Sequence, residues 1–363
     1  MKIKKIQSFY RDNVCIVKIT SEDGTFGFGQ CAPYNADITQ LVLHKQVIPH
    51  VLGADDNDFA LADKVILNEY KFTGSYICRA VAGIDTALWD LKGRREKRSV
   101  SDIIGKKRER ILVYGSSMQR ELSVSQETDR MQKLRTERGY GSFKLKIAVP
   151  NGADTDNWPG HSEDLIRQCH KVLGPHVELY VDANGGMSVQ KSIAYKELLM
   201  QNNVKFLEEP CPFWETDQTG EIKKAYEGSG VLVAAGEQES MFSRIKRMLR
   251  VHAVDIFQPD ICYIGGFSRA YAASKIAASE DIFTTPHTAN NSMLLPFSIH
   301  LMAVVDKPWR TMEHSIEDVR WAQSVLKRQP EVKDGYIRVP DEPGWGFEPS
   351  PAWLSGARTV VSE

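Results

Sequence analysis

Lys144 and Lys146 lie two residues apart in S-F-K-L-K-I, a short run of apolar and β-favouring residues at Ser142–Ile147. A strand puts residues i and i+2 on one face, so both ammonium groups point the same way. Neighbouring cations lower each other's proton affinity, which suits one of them to act as a base near neutral pH. Taken alone, K-x-K also fits a solvated edge strand with two surface lysines. The residues that follow favour chemistry.

Further along, acidic residues end a series of short apolar runs: Asp182 in Y-V-D-A-N, Glu208 in F-L-E-E-P and Glu237 in A-A-G-E. The intervals of 26 and 29 residues each span about one βα unit, so the three carboxylates come from consecutive strands and converge. Three converging carboxylates need a cation to stay ionised. Hard oxygen donors with room for water and substrate suit Mg²⁺, and the lack of clustered Cys or His argues against zinc. His287 follows Asp260 by 27 residues, again one unit, so an aspartate on the neighbouring strand can fix the imidazole tautomer. Glu313, in T-M-E-H, closes the series. It reads either as a carboxylic acid kept protonated in a dry site, able to donate to a developing oxyanion, or as a salt-bridged strand end.

Positioning these groups requires a regular array of strand ends. From Ile111 onward, strand-like runs at Ile111–Gly115, Phe143–Ile147, Leu179–Asp182, Phe206–Glu208, Val233–Glu237, Ile256–Pro259, Phe283–Pro286 and Thr311–Glu313 alternate with amphipathic helices. Eight such strands predict a (β/α)₈-type barrel, whose active-site face is built at the carboxyl ends of its strands. No G-x-G-x-x-G or P-loop pattern follows any strand, which excludes the usual dinucleotide and nucleotide cradles. Before the barrel, strand runs at Ile3–Tyr10 and Val14–Thr20 meet a hairpin signal at Glu22-Asp23-Gly24 and then F-G-F-G. Helical patterns around Ile38–Val51, Phe59–Tyr70 and Ser75–Lys92 follow, making an α+β unit. The tail from Gly335 is rich in Pro and Gly and predicts an extended return crossing. The expected division is residues 1–110, 111–330 and 331–363.

The bulk numbers narrow the partners. A formal net charge of -1, from 46 basic and 47 acidic residues, leaves no electrostatic footprint for nucleic acid or an anionic membrane. No stretch is long and apolar enough to span a bilayer, and no apolar segment follows the basic N-terminus. The six cysteines show no C-x-x-C spacing, which predicts reduced thiols and a cytoplasmic address.

This residue set resembles the mandelate racemase subgroup of the enolase superfamily, and the likeness runs along essentially the whole chain. The A-G-I-D-T-A-L-W-D-L-K-G run at Ala82–Gly93 is similar too, and reads as packing. The resemblance implies an α/β fold: a modified (β/α)₈ TIM-type barrel with an α+β capping domain formed by the N-terminal segment and the C-terminal tail. It implies that Lys146 is the base that removes a proton α to a carboxylate and that Lys144 lies near that carboxylate. It further implies Asp182, Glu208 and Glu237 as Mg²⁺ ligands, His287 and Asp260 as the dyad on the opposite face, and Glu313 as the electrophilic acid. A small-molecule carboxylate substrate and a homo-oligomer are the partners expected.

The expected reaction is dehydration of a sugar acid, an aldonate or aldarate, to a 2-keto-3-deoxy acid. The cap loop Gln30–Asp37 offers Gln30, Tyr34, Asn35 and Asp37, and Asn184 and Gln258 lie near the strand ends. Of these, Tyr34, Asn35, Asn184 and Gln258 are the expected partners for substrate hydroxyls, which are costly to bury unpaired. Racemisation, epimerisation or cycloisomerisation of a related acid is the alternative within the superfamily, and a non-catalytic scaffold is the alternative outside it. One departure is a long polar insert, Ala148–Ser162, which either overhangs the site or extends an oligomer contact.

Overall fold

The computed structural model describes residues 1–363. The chain opens with three antiparallel strands, β1 (Ile3–Arg11), β2 (Val14–Ser21) and β3 (Phe26–Gln30). The glycines of F-G-F-G let β3 lie directly on the long helix Ser75–Glu96: a Cβ at Gly27 would strike the Ala87 carbonyl and the Leu91 backbone. Helices Ala36–Val42 and Leu61–Asn68 complete the cap. The helix expected over Ile38–Val51 is not continuous. It passes into a π-type turn at Leu43–Val47 and a 3₁₀ turn at Ile48–His50, where Pro49 lacks the amide an α-helix would use.

The barrel strands are β4 (Arg110–Ser116), β5 (Ser142–Lys146), β6 (Glu178–Asp182), β7 (Val204–Glu208), β8 (Leu232–Ala235), β9 (Ile256–Phe257), β10 (Phe283–Thr284) and β11 (Met312–Ser315). They run parallel in the order β10-β9-β8-β7-β6-β5-β4-β11. A bridge between Thr284 and Pro308, with Trp309 N donating to Thr284 O at 2.8 Å, brings the two edges together. β9 and β10 stop earlier than their apolar runs suggest, because Pro259 and Pro286 cannot donate to the ladder. Inside, Tyr114, Tyr180, Phe206, Ala234, Ile256 and Trp309 pack as one buried layer, with Tyr180 stacked on Phe206 at 4.2 Å between centroids. Side-chain alternation then puts Asp182 and Glu208, two residues beyond Tyr180 and Phe206, on the same inward face above that aromatic floor.

The tail is more structured than an extended crossing. Strand β12 (Tyr336–Arg338) pairs antiparallel with β4, Ser350 caps a short helix at Pro351–Ser355, and β13 (Arg358–Ser362) pairs with β1. Between them Trp345 is fully buried, with its indole donating to Thr86 O at 2.9 Å and its amide to Asp90 Oδ1 at 3.1 Å. The tail therefore returns to the cap and adds an edge strand to its sheet. No helix is long and apolar enough to cross a membrane, and all six cysteines are buried and free.

Candidate active site

Register places the charged residues at one level. Lys146 pairs with Asp182 across β5 and β6, and Asp182 with Glu208 across β6 and β7. Asp182, Glu208 and Glu237 are all buried, and one carboxylate oxygen from each lies within 4.8 Å of the others. Glu237 Oε2 is buried with no hydrogen-bond partner, and Glu208 is pushed upward in pKa by burial despite the adjacent Lys144. An all-oxygen donor set with an unpartnered inner oxygen and mutual repulsion fits a hard divalent cation.

Lys144 is fully buried, with Nζ 2.6 Å from Glu208 Oε1, 2.7 Å from Glu313 Oε1 and 3.7 Å from Asp182 Oδ2. Burial alone would lower its pKa, but Glu208 and Glu313 hold it well above the usual lysine range. The expectation that two lysines depress each other therefore fails for Lys144, because three carboxylates surround it. Lys146 differs. It is ion-paired with Asp182, 3.1 Å from Asn184 Oδ1, and reaches a cavity of about 390 Å³.

His287 also lines this cavity. Its Nδ1 is 2.8 Å from Asp260 Oδ2, while Asp260 Oδ1 accepts the amides of Cys262 at 2.7 Å and Tyr263 at 2.9 Å. With Nδ1 engaged, Nε2 faces inward, 3.3 Å from Glu237 Oε2. Burial opposes the charged imidazole, but Glu237, Glu313 and Asp260 raise its pKa to about 10. Glu313 accepts from Ser116 Oγ at 2.7 Å and from the Thr288 amide. Burial would raise its carboxyl, yet Lys144 and His287 pull it down to about 2. The protonated acid expected at Glu313 is thus replaced by a carboxylate salt-bridged to Lys144, the other reading of that position.

The cap loop contributes less than its composition suggests. Tyr34 and Asn184 line the cavity; Asn35 and Gln258 do not. Asn35 donates to Tyr76 O–H at 3.3 Å, and Gln258 is buried with Nε2 donating to Glu208 Oε2 at 2.8 Å. Gln30 is also withdrawn: it bonds Ser292 Oγ at 2.8 Å and the Met293 amide at 3.2 Å, pinning the cap to the barrel. Tyr34 and Asn35 both adopt positive φ, so the chain turns sharply and their side chains part.

The polar hood comes from barrel loops instead. The insert after β5 folds over the mouth: its Asn151 amide donates to Asn184 O at 3.0 Å, its Asp154 amide to Gly186 O at 2.8 Å, and Pro150 and Asn151 line the cavity. Glu209 was missed by the sequence reading. It sits at positive φ just past β7, receives Asn184 Nδ2 at 3.3 Å on Oε2, and leaves Oε1 without a partner. The doubled acid of F-L-E-E-P was its only signal. Tyr263, Met118, Phe213 and Gln238 complete much of the lining and carried no signal at all. A larger cavity of about 1000 Å³ lies at the amino ends of the strands, beside Glu109, Arg110 and β12, away from these groups.

Comparison with known proteins agrees with this geometry. Residues 4–105 match the mandelate racemase / muconate lactonizing enzyme N-terminal domain, and residues 126–353 the enolase C-terminal domain-like family. The chain is 27% identical to the D-galactarolactone cycloisomerase of Agrobacterium fabrum over 92% of its length and 88% of that protein's. It is 26% identical to the arabinonate dehydratase of Saccharolobus solfataricus, over 92% of this chain and 87% of that one. A solved structure from Roseobacter denitrificans, provisionally named a racemase, superposes with a TM-score of 0.97 at 38% identity over 100% of both chains.

Proposed function

This chain belongs to the mandelate racemase / muconate lactonizing enzyme family of the enolase superfamily, and we propose that it is a Mg²⁺-dependent dehydratase of a sugar acid. The observation that carries the reading is one cavity lined by Lys146, His287 and Glu237, with Asp182 and Glu208 clustered beside Glu237. Asp182, Glu208 and Glu237 would hold the ion, which when bound supplies positive charge for a substrate carboxylate.

The chain's own residues account for the proton transfers. Lys146 Nζ takes the proton α to the carboxylate, and the Lys144 ammonium stabilises the charge that builds on the resulting enediolate. His287, with Nδ1 held by Asp260, presents Nε2 to the substrate from a different strand end. Asp260 on Nδ1 favours the imidazolium and leaves its Nε2 proton free to be donated. That proton goes to the β-hydroxyl as its C–O bond breaks, water leaves, and the enol product tautomerises to the 2-keto-3-deoxy acid. Exchange with solvent restores Lys146 and His287. Pro150, Asn151 and Tyr34 line the same cavity beside these groups.

The cycloisomerase relative supports a second reading, in which the same α-proton abstraction leads to isomerisation and His287 or solvent delivers a proton to carbon. Proton NMR in D₂O with Mg²⁺, using arabinonate, galactarate, L-talarate and D-galactarolactone, separates the two. A 2-keto-3-deoxy acid formed from arabinonate, galactarate or L-talarate shows dehydration. The same product from D-galactarolactone alone, where the ring oxygen is the leaving group and no water is lost, or deuterium at C2 without a keto acid, points to isomerisation. No change in any substrate counts against both.

A further inference from the structure

Tyr263 lines the cavity but has no part in the chemistry described so far. It sits in the turn Ile261–Ile264 that Asp260 caps, and its ring centroid is 6.1 Å from that of His287. Its hydroxyl makes no hydrogen bond within the protein. Burial, reinforced by Asp260, pushes the phenol upward in pKa, so it stays a donor throughout the working range.

Arg79, on the long cap helix, covers the ring. Its guanidinium carbon lies 3.9 Å from the Tyr263 centroid, its Nε donates to Ser75 Oγ at 3.0 Å, and its Nη1 donates to Pro33 O at 3.2 Å. Pro33 immediately precedes Tyr34, the one cap-loop residue of the expected set that reaches the cavity. A single guanidinium therefore stacks on a barrel residue and ties down the loop that covers it. Tyr34, at positive φ and packed edge-on against Trp321 at 5.6 Å, completes the roof.

We infer that Tyr263 is a substrate-binding residue that donates a hydrogen bond to a β-oxygen of the substrate on the His287 side, and that Arg79 is the residue positioning both Tyr263 and the Tyr34 loop. The inference rests on the reading of the site as one for α-hydroxy carboxylates, and it names the feature that reads the second hydroxyl. Such a contact selects acids hydroxylated at both C2 and C3, because a donor that the bound acid cuts off from water and a 3-deoxy acid leaves unpaired is costly.

Tartrate and malate, which differ by one hydroxyl, test this by calorimetry on the full-length protein saturated with Mg²⁺. The wild type is expected to prefer tartrate by about tenfold. Tyr263→Phe should bring that preference close to unity while changing malate affinity by less than about twofold, since no contact to malate is removed. Arg79→Ala should lower the preference in the same direction, with Arg79→Lys partly restoring it. Thermal melts establish that each variant is folded. An unchanged tartrate preference in Tyr263→Phe, with Mg²⁺-dependent malate binding intact, overturns the inference and leaves the reading of the site standing. Failure of both acids to bind the wild type overturns the reading, and the inference with it.

Discussion

The cap helix Ser75–Glu96 and the mouth of the barrel both bury carboxylates, and they surround them with different partners. On the helix, Asp90 accepts the amides of Phe28 at 2.8 Å and Trp345 at 3.1 Å, plus Arg94 at 2.7 Å, while Asp85 accepts the Ser268 amide at 3.0 Å. These oxygens join the cap sheet, the tail and the barrel helix Phe267–Ser279. At the mouth, Asp182, Glu208 and Glu237 face one another, lysines pair with Asp182 and Glu208, and Glu237 Oε2 has no hydrogen bond and only the His287 imidazole beside it, at 3.3 Å. Histidines divide the same way. His300 and His314 are pushed down to about 4 by burial, whereas the carboxylates around His287 raise it to about 10. A buried charge whose bonds go to backbone amides holds the fold together; one left facing like charges is available to a ligand.

Substitution can break this distinction in either region. Glu208→Gln is expected to lower turnover by more than about a thousandfold, read as product formation, while leaving the protein folded because Lys144 retains Glu313. The acid limb of stability comes next. His300 and His314 have folded pKa values below the unfolded value of about 6.5, so the unfolded chain binds more protons between pH 6.5 and 4. Stability should fall by roughly 3 kcal/mol for each as pH drops through that window, and His300→Gln should flatten the loss seen in urea titrations. His287 carries the opposite sign: the stability from its pairing is present below about pH 6.5 and lost as pH rises through about 10. Asp90→Ala should cost about 2 kcal/mol in urea denaturation by stranding buried donors, with kcat per folded molecule unchanged. Asn35→Ala should move KM by less than about twofold, since its side chain bonds Tyr76 and not the cavity.

Much of this site was legible in the sequence because it depends on period. Strand ends recur at βα spacing, so Asp182, Glu208, Glu237 and His287 could be placed at one pole of the barrel before any coordinates. The packing role of Ala82–Gly93 was legible too, and Asp85 and Asp90 within it bear this out. Charge state was not legible. Lys144 stays cationic because of Glu208 and Glu313, 64 and 169 residues away in sequence, and no local pattern reports their distance from its ammonium. Side-chain direction in loops was equally hidden. The polar composition of Gln30–Asp37 pointed to a lid that partners substrate hydroxyls, but positive φ at Tyr34 and Asn35 and the burial of Gln30 send most of it elsewhere. Conversely, the insert after β5 supplies Asn151 to the cavity, which its length and polarity alone left open.

The central claim, that the mouth carboxylates are arranged for a divalent cation, is tested most directly by thermal melting of the wild type and Glu208→Gln across a Mg²⁺ titration. Binding to the folded state alone stabilises it by about 2.7 kcal/mol at a hundredfold excess over Kd, so the wild-type Tm should climb with Mg²⁺. The variant should show little or no climb over the same range. A wild-type Tm indifferent to Mg²⁺, or an equal rise in Glu208→Gln, would contradict the account.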